Sequence, residues 1–255
     1  MAAPHEAAWA TFLRNHDELT LDKLTDAERE EVFAAFGPDE DMQVYGRGLR
    51  RRLPTMFGGD QRRLRMAYSL LLALPGTPTL FYGEEIGMGE NLAVPDRLAV
   101  RTPMQWTGGP SAGFTSAPAD AVCRPFPDDP AFAPAAVNVE QQRLDPESLL
   151  NWFERVLKRR RDLPEIGWGR CELLDAGEPA VLAMRHEWRG RTAVTVHNLA
   201  GRRATARLRA DDVADGSAVL AELQEGGARP VTARGGRFTV ALPAYGHRWL
   251  RVEQR

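Results

Sequence analysis

The sequence is poor in cysteine, in lysine and in long apolar runs, and it carries no surplus of charge of either sign. Each shortage excludes something. Of 255 residues, two are cysteines, Cys123 and Cys171. Two cysteines build no disulfide framework, and their spacing matches no metal-ligand pattern, so a reducing, cytoplasmic setting is expected and no metal site. Lys23 and Lys158 are the only lysines; the preference for arginine reads as genomic composition. The longest apolar stretch, around Ala67–Leu74, is far too short to span a bilayer. Met1–Trp9 has neither the basic region nor the long apolar core of a secretory leader. Lys plus Arg is 33 against 35 for Asp plus Glu, a net charge of −2. That balance leaves no basic surface for nucleic acid as a partner. With 43% hydrophobic and 27% charged residues, the chain can fold as one large domain or two modest ones.

What is present starts with a short apolar run, Trp9–Leu13, that leads into Arg14-Asn15-His16-Asp17-Glu18. It reads as a short buried strand whose end carries the charges. Thr25-Asp26-Ala27-Glu28 has capping-box spacing, and Val32, Phe33 and Phe36 supply an apolar helix face that ends at Gly37-Pro38. The run Arg50-Arg51-Arg52 reads as a solvated face or as partners for carboxylates, because no glycine-rich phosphate cradle accompanies it. Asp60 opens a second helix, with Leu64, Ala67, Tyr68, Leu71 and Leu72 on one face and a stop at Pro75-Gly76. Thr79-Leu80-Phe81-Tyr82 is a second β-prone run, ending at Gly83-Glu84-Glu85. The order strand, helix, helix, strand suggests parallel strands with helical crossovers. Carboxylates just beyond such strand ends are where barrel enzymes place their chemistry.

Residues 87–147 are irregular, rich in Gly, Pro and aromatics, as functional loops often are. Trp106, Phe114, Phe126 and Phe132 read as packing for this loop. Asp145-Pro146-Glu147 predicts a helix start, with Leu149, Leu150, Phe153, Val156 and Leu157 on its apolar face and Lys158–Arg161 at its negative dipole end. From Gly169 the texture changes. Leu173–Leu174, Val181–Arg185, Thr192–Val196, Thr205–Leu208, Val219–Leu223, Phe238–Leu242 and His247–Val252 are short β-prone runs. Arg189-Gly190, Asp215-Gly216, Gly226-Gly227 and Gly235-Gly236 mark turns. This is the pattern of a small antiparallel sandwich, with a domain boundary near residue 165. Trp188, Trp249 and Tyr245 read as core of that sandwich.

The densest group of chemical side chains is Asn15-His16-Asp17-Glu18. His and Asp together at a strand end can bind several hydroxyls, and the carboxylate can stabilise a developing positive charge; a helix cap with a solvated His is an equal reading of the tetrapeptide alone.

Three ordered segments carry a family resemblance. Phe12-Leu13-Arg14-Asn15-His16-Asp17 resembles the strand-seven motif of the α-amylase superfamily. Pro75 to Met88, reading PGTPTLFYGEEIGM, resembles its strand-eight motif. Arg101-Thr102-Pro103-Met104-Gln105-Trp106, followed by Ala112-Gly113-Phe114, is similar to the active-site loop of the α-glucosidase and trehalose synthase branch. Asn15–Leu21, Leu49–Leu53, Met88–Asn91 and Val137–Glu140 are most similar to the trehalose synthases. The resemblance implies a retaining enzyme that interconverts maltose and trehalose with a hydrolytic side reaction. It implies Asp17 as the third catalytic carboxylate, which stabilises the transition state by holding ring hydroxyls at subsite −1. His16 would bind hydroxyls of the same glucose, Arg101 would line the pocket, and Gln105 and Trp106 would support its loop. Of Glu84 and Glu85, at least one would be structural, pairing with an arginine.

The implied fold is α/β plus all-β: residues 1–165 as the C-terminal remnant of a (β/α)8 barrel, strands seven and eight with their helices, and residues 166–255 as the β-sandwich. A whole barrel takes about 250 residues. The nucleophile and the acid/base would sit on earlier strands, and a calcium site, if the family's is kept, would lie in an N-terminal part. The chain is therefore expected to be part of an enzyme and inactive alone. Its expected partners are maltose, trehalose or other α-glucosides, and either a missing N-terminal half or a second copy. An α-glucosidase or α-amylase-type hydrolase, and a non-catalytic sugar-binding protein derived from one, remain as alternatives.

Overall fold

Thr25 caps the first helix, α1 (Asp26–Phe36), reciprocally. Its hydroxyl accepts the Glu28 backbone N–H at 3.3 Å, while the Glu28 carboxylate accepts the Thr25 N–H at 2.8 Å. In the computed structural model, which describes residues 7–213, 218–222 and 230–254, the chain divides into two units. One collects Met1–Thr11, Arg65–Thr79 and Arg155–Arg255; the other holds Phe12–Leu64 and Leu80–Glu154. The predicted turns Asp215-Gly216 and Gly226-Gly227, and the strand end Leu223, lie outside the described residues.

The first unit opens with β1 (Ala10–Thr11), which pairs in parallel with β5 (Thr77–Pro78). Between them in the chain comes the helix α3 (Gln61–Ala73), capped by Asp60, whose carboxylate accepts the Arg62 N–H at 2.9 Å. Leu64, Ala67, Tyr68, Leu71 and Leu72 are all buried. The chain reverses at Gly76, where φ is +100° and an added Cβ would lie 2.3 Å from the Trp9 carbonyl oxygen. Only glycine fits there.

The strand expected across Trp9–Leu13 is two residues long and not buried: Trp9 is 55% and Phe12 50% exposed. The run Thr79–Tyr82 is not a strand either. Thr79 still donates to the Thr11 carbonyl at 2.7 Å. The Glu84 carboxylate then accepts the Phe81 N–H at 2.8 Å and the Glu85 carboxylate the Gly83 N–H at 2.7 Å, which folds the run into a turn.

The rest of the first unit is sheet. After α5 (Leu149–Arg161) and α6 (Pro164–Trp168) come β6 (Arg170–Leu174), β7 (Val181–Trp188), β8 (Arg191–Asn198), β9 (Ala204–Arg209), α7 (Ala210–Val213), β10 (Ala218–Glu222), β11 (Val231–Thr232), β12 (Arg237–Leu242) and β13 (His247–Gln254). A six-stranded antiparallel sheet runs β11-β10-β13-β8-β7-β6, and β9 pairs with β12. Val194, Val196, Ala206, Leu208, Phe238 and Leu250 share one buried core, so alternate residues of the strands face one another across it. Arg189 and Gly190 take positive φ, as do Gly235 and Gly236, so both described turns fall where the sequence places them. Trp249 is fully buried. Its indole N–H donates to the Ser69 hydroxyl of α3 at 3.0 Å, and the same hydroxyl meets His197 Nε2 at 3.0 Å.

The predicted start of α5 shifts by three residues. Ser148 is the cap, accepting the Asn151 N–H at 3.2 Å, while Asp145 accepts the Glu147 N–H in the preceding turn. Leu157, expected on the apolar face, is partly exposed.

The second unit holds α1, a small antiparallel sheet of β2 (Leu19–Thr20), β4 (Gly48–Leu49) and β3 (Gln43–Val44), and the short helices α2 (Leu53–Met56) and α4 (Val139–Leu144). α4 has no counterpart in the sequence reading; Asn138 caps it by accepting the Gln141 N–H at 2.8 Å. Of the two readings of the run Arg50–Arg52, carboxylate partnership holds at Arg51 and a solvated face does not. Arg50 and Arg52 are buried, and Arg51 pairs with Glu90 at 2.9 Å. Arg50 donates to the carbonyls of Asp41, Leu92 and Val94, tying the loop after Met88 in place.

Candidate functional site

Asn15-His16-Asp17-Glu18 is a tight turn, with the Asn15 amide oxygen accepting the Asp17 N–H at 2.8 Å. Buried Arg14 holds it from beneath. Its guanidinium donates to the carbonyls of Asp17 and Arg51, both at 2.8 Å. Burial pushes the Arg14 guanidinium down to about 10, against the opposing pull of Glu84, Glu90 and Glu18. The cation stays charged at neutral pH, so the turn rests on a fixed positive charge surrounded by carboxylates.

The Asp17 carboxylate is held on one oxygen only. Oδ1 takes Arg97 Nη1 at 2.9 Å and Arg101 Nη2 at 3.0 Å; Oδ2 faces His16 Nε2 at 3.5 Å. Arg101 also donates from Nε to the His16 carbonyl at 2.8 Å, so one guanidinium spans both residues. These pairs are partly solvent-exposed, and for stability such pairs contribute about 0–1 kcal/mol. What they fix is orientation, because a planar guanidinium constrains its acceptor. The His16 side chain is largely exposed, tilted over Phe81 with ring centroids 6.5 Å apart.

Phe81 and Tyr82 are in turn placed by Arg52, whose guanidinium lies 4.6 Å from the Phe81 ring and 5.3 Å from that of Tyr82. The Tyr82 hydroxyl donates to the Thr102 carbonyl at 2.7 Å, tying the turn to the loop that carries Arg101. Burial raises the Tyr82 phenol. Gln105 is fully buried; its side-chain amide donates to the Phe132 carbonyl at 3.1 Å, and its backbone carbonyl accepts the Val139 N–H at 3.0 Å. Trp106 is 46% exposed and Phe114 nearly as much, while Phe132 is buried. Glu84 is buried and Glu85 part-buried; each accepts the backbone bond already described.

His16, Asp17 and Arg101 therefore meet. Glu84 stands behind Arg14, and Glu85, Gln105 and Trp106 belong to the surrounding turns. The sequence reading missed Arg97. It lies in the one-turn segment Asp96–Val100, just before Arg101, and reaches the same Asp17 oxygen. Among the described residues no group of three or more His, Cys, Asp or Glu could hold a metal ion, and no helix is long and apolar enough to cross a membrane.

The catalytic-domain model of α-amylase matches residues 49–169, and the model of a sucrose hydrolase-like C-terminal domain matches residues 190–251. The trehalose synthase of Thermus thermophilus is 44% identical over 77% of this chain and 20% of its own length. The trehalose synthase/amylase TreS of Mycobacterium tuberculosis is 42% identical over 77% of this chain and 33% of its own. The chain thus spans a fifth to a third of the length of these curated relatives. Among solved structures, the α-amylase of H. orenii matches with TM-score 0.58 and 27% identity over 80% of this chain and 38% of that one. An inactive double mutant of MutB in complex with isomaltulose matches in fold, with TM-score 0.66 and 18% identity over 96% of this chain and 43% of that one. Residues 49–169 thus match the α-amylase family, residues 190–251 match a sucrose hydrolase-like C-terminal domain, and the chain is similar to part of the trehalose synthases.

Proposed function

We propose that these residues form the glucose-holding side of a trehalose synthase-like active site, acting on maltose, trehalose or related α-glucosides within a longer or assembled enzyme. The observation that carries the reading is the one-sided clamp on Asp17. Two guanidinia saturate Oδ1, which leaves Oδ2 and the neighbouring His16 Nε2 to take a pair of vicinal hydroxyls. A carboxylate so held keeps its charge and its direction while the sugar ring flattens toward an oxocarbenium ion, and its hydrogen bonds to the ring hydroxyls strengthen in that state. Arg101 aligns the pair, and in this reading Gln105 and Trp106 support the loop that carries Arg101.

A retaining mechanism also needs a nucleophile and an acid/base about 5–5.5 Å apart. We assign neither role here. Glu84 and Glu85 accept backbone N–H groups, and Glu90 is tied to Arg51. In this reading the first unit's parallel pair β1 and β5 corresponds to barrel strands seven and eight, and residues 166–255 are the accessory sandwich. Any calcium site is placed outside these residues, and the setting is cytoplasmic.

Two experiments test this. The chain by itself, incubated with maltose, trehalose and an aryl α-glucoside, yields no isomerised or hydrolysed product by chromatography. Activity abolished by Asp17→Ala would show a catalytic pair within these residues and overturn the assignment. In the longer enzyme, Asp17→Asn keeps the size and removes the charge; it lowers turnover on maltose by at least about a hundredfold with a smaller change in ground-state binding. Near-normal turnover of that variant would remove Asp17 from the role.

A further inference from the structure

The six-stranded sheet ends on β6, and among the described residues no further strand pairs with its outer side. An open edge of this kind is usually blunted by charge. Here the charges are of opposite sign and two positions apart: Arg170 and Glu172, on either side of Cys171. Two exposed apolar side chains flank them. Leu173 is 72% exposed and Trp168, at the end of α6, is 79% exposed.

The geometry points to β6 as a self-complementary interface, at which a second copy of this chain adds its own β6 antiparallel, with Cys171 opposite Cys171. An antiparallel pair related by a twofold axis must set some residue opposite itself. Centring on Arg170 or on Glu172 opposes like charges. Centring on Cys171 sets Arg170 of each copy against Glu172 of the other. The same register sets Leu173 against Gly169, which has no side chain to compete. One register therefore satisfies charge and steric fit together. Arg170 already reaches Glu172 within the chain at 2.6 Å, and Glu172 is also met by Arg185 at 3.5 Å. The pair thus presents alternating charge to an incoming strand. The result is a twelve-stranded sheet running through both copies, about two six-stranded halves joined edge to edge.

The register itself supplies the test, which does not depend on the sugar-site reading. Residues directly opposite in antiparallel strands have Cα atoms about 4.5–5.5 Å apart, inside the range a disulfide spans. Cys123 is exposed and would cross-link nonspecifically, so the background is Cys123→Ser. Oxidation with copper phenanthroline is run at mildly alkaline pH, because burial pushes the Cys171 thiol up. The expected product is one disulfide-linked dimer, absent when Cys171→Ser is added. By sedimentation the unmodified chain is a dimer. Leu173→Lys weakens association at least tenfold while leaving thermal unfolding of the subunit in place. Arg170→Glu weakens it similarly, and Arg170→Glu with Glu172→Arg restores it. A monomeric chain, association indifferent to Leu173→Lys and Arg170→Glu, or failure to cross-link through Cys171 would each overturn the proposal. A monomer whose β6 amides are protected from hydrogen exchange would do so as well, because another segment would then cover the edge.

Discussion

The two units are held together by different means. In the sheet-bearing unit the interior is aliphatic and aromatic, with Val194, Val196, Leu208, Phe238 and Leu250 packed between two layers. Its buried polar side chains include Ser69, Thr195, Asn198, His186, His197 and a single carboxylate, Glu165, which meets Arg191 at 3.0 Å. The unit that carries Asp17 relies much more on buried charge. Arg14, Arg50 and Arg52 are buried, and Glu90 accepts from Arg51 Nε and from the Arg52 N–H. Apolar packing tolerates substitutions of similar volume. A buried guanidinium with several carbonyl acceptors does not, because each N–H left unpaired retains its desolvation cost. The difference suits their tasks: one is a scaffold, and the other must set a few polar atoms at fixed angles.

The largest expected effect breaks the scaffold side of that comparison. Burial pushes His186 and His247 down to about 4 and His197 to about 3, with further lowering from Arg160, Arg65 and neighbouring histidines. These groups are neutral when folded and take a proton more readily when unfolded. The unfolded state therefore binds more protons below the ordinary histidine value of about 6.5, and stability falls as pH falls. The stabilisation is fully present above about 6.5 and is lost progressively toward 4 and below. Denaturant titrations at stepped pH should show a loss of several kcal/mol across that window; a flat profile would mean the histidines are not buried neutral.

Next is Phe238→Ala. Phe238 is fully buried, and its truncation should lower unfolding stability by about 3–5 kcal/mol, read from the denaturant midpoint. A loss under about 1 kcal/mol would mean that the two sheets do not share a core. Glu90→Ala sharpens the comparison from the other side. It removes the carboxylate partner of Arg51 and the acceptor of the Arg52 N–H. The expected cost is about 3 kcal/mol, toward the low end for a broken buried pair because Arg51 keeps its bond to the Phe36 carbonyl. Replacing both Arg51 and Glu90 with apolar residues should cost less than Glu90→Ala alone, and a double-mutant cycle measures that coupling.

This contrast also explains what the sequence reveals. All seven expected β-runs of the sheet are present over their described residues, because period-two patterning and glycine turns are local signals. The capping box at Thr25 and the Asp60 start are local in the same way. The second unit is less legible. The composition of Arg50–Arg52 fits a solvated face and carboxylate partners alike, and the choice is made by Glu90, 39 residues from Arg51. Thr79–Tyr82 has strand-like residues, yet the two carboxylates that follow turn it into a loop. His16, Asp17 and Arg101 were legible through motif resemblance. Arg97 was not, because its role depends on where Asp96–Val100 returns the chain, not on residue type.

The bond from Trp249 to Ser69 joins residues 180 positions apart. Its consequence lies in time. A ribosome adds about 5–20 residues each second, so α3 is complete roughly ten to forty seconds before the indole that satisfies its buried hydroxyl exists. Through that interval the buried Ser69 hydroxyl waits without its strand partners, Trp249 and His197. The helix is therefore a natural client for a chaperone during synthesis. Pulse-labelled nascent chains released before β13 should remain protease-sensitive across Arg65–Ala73.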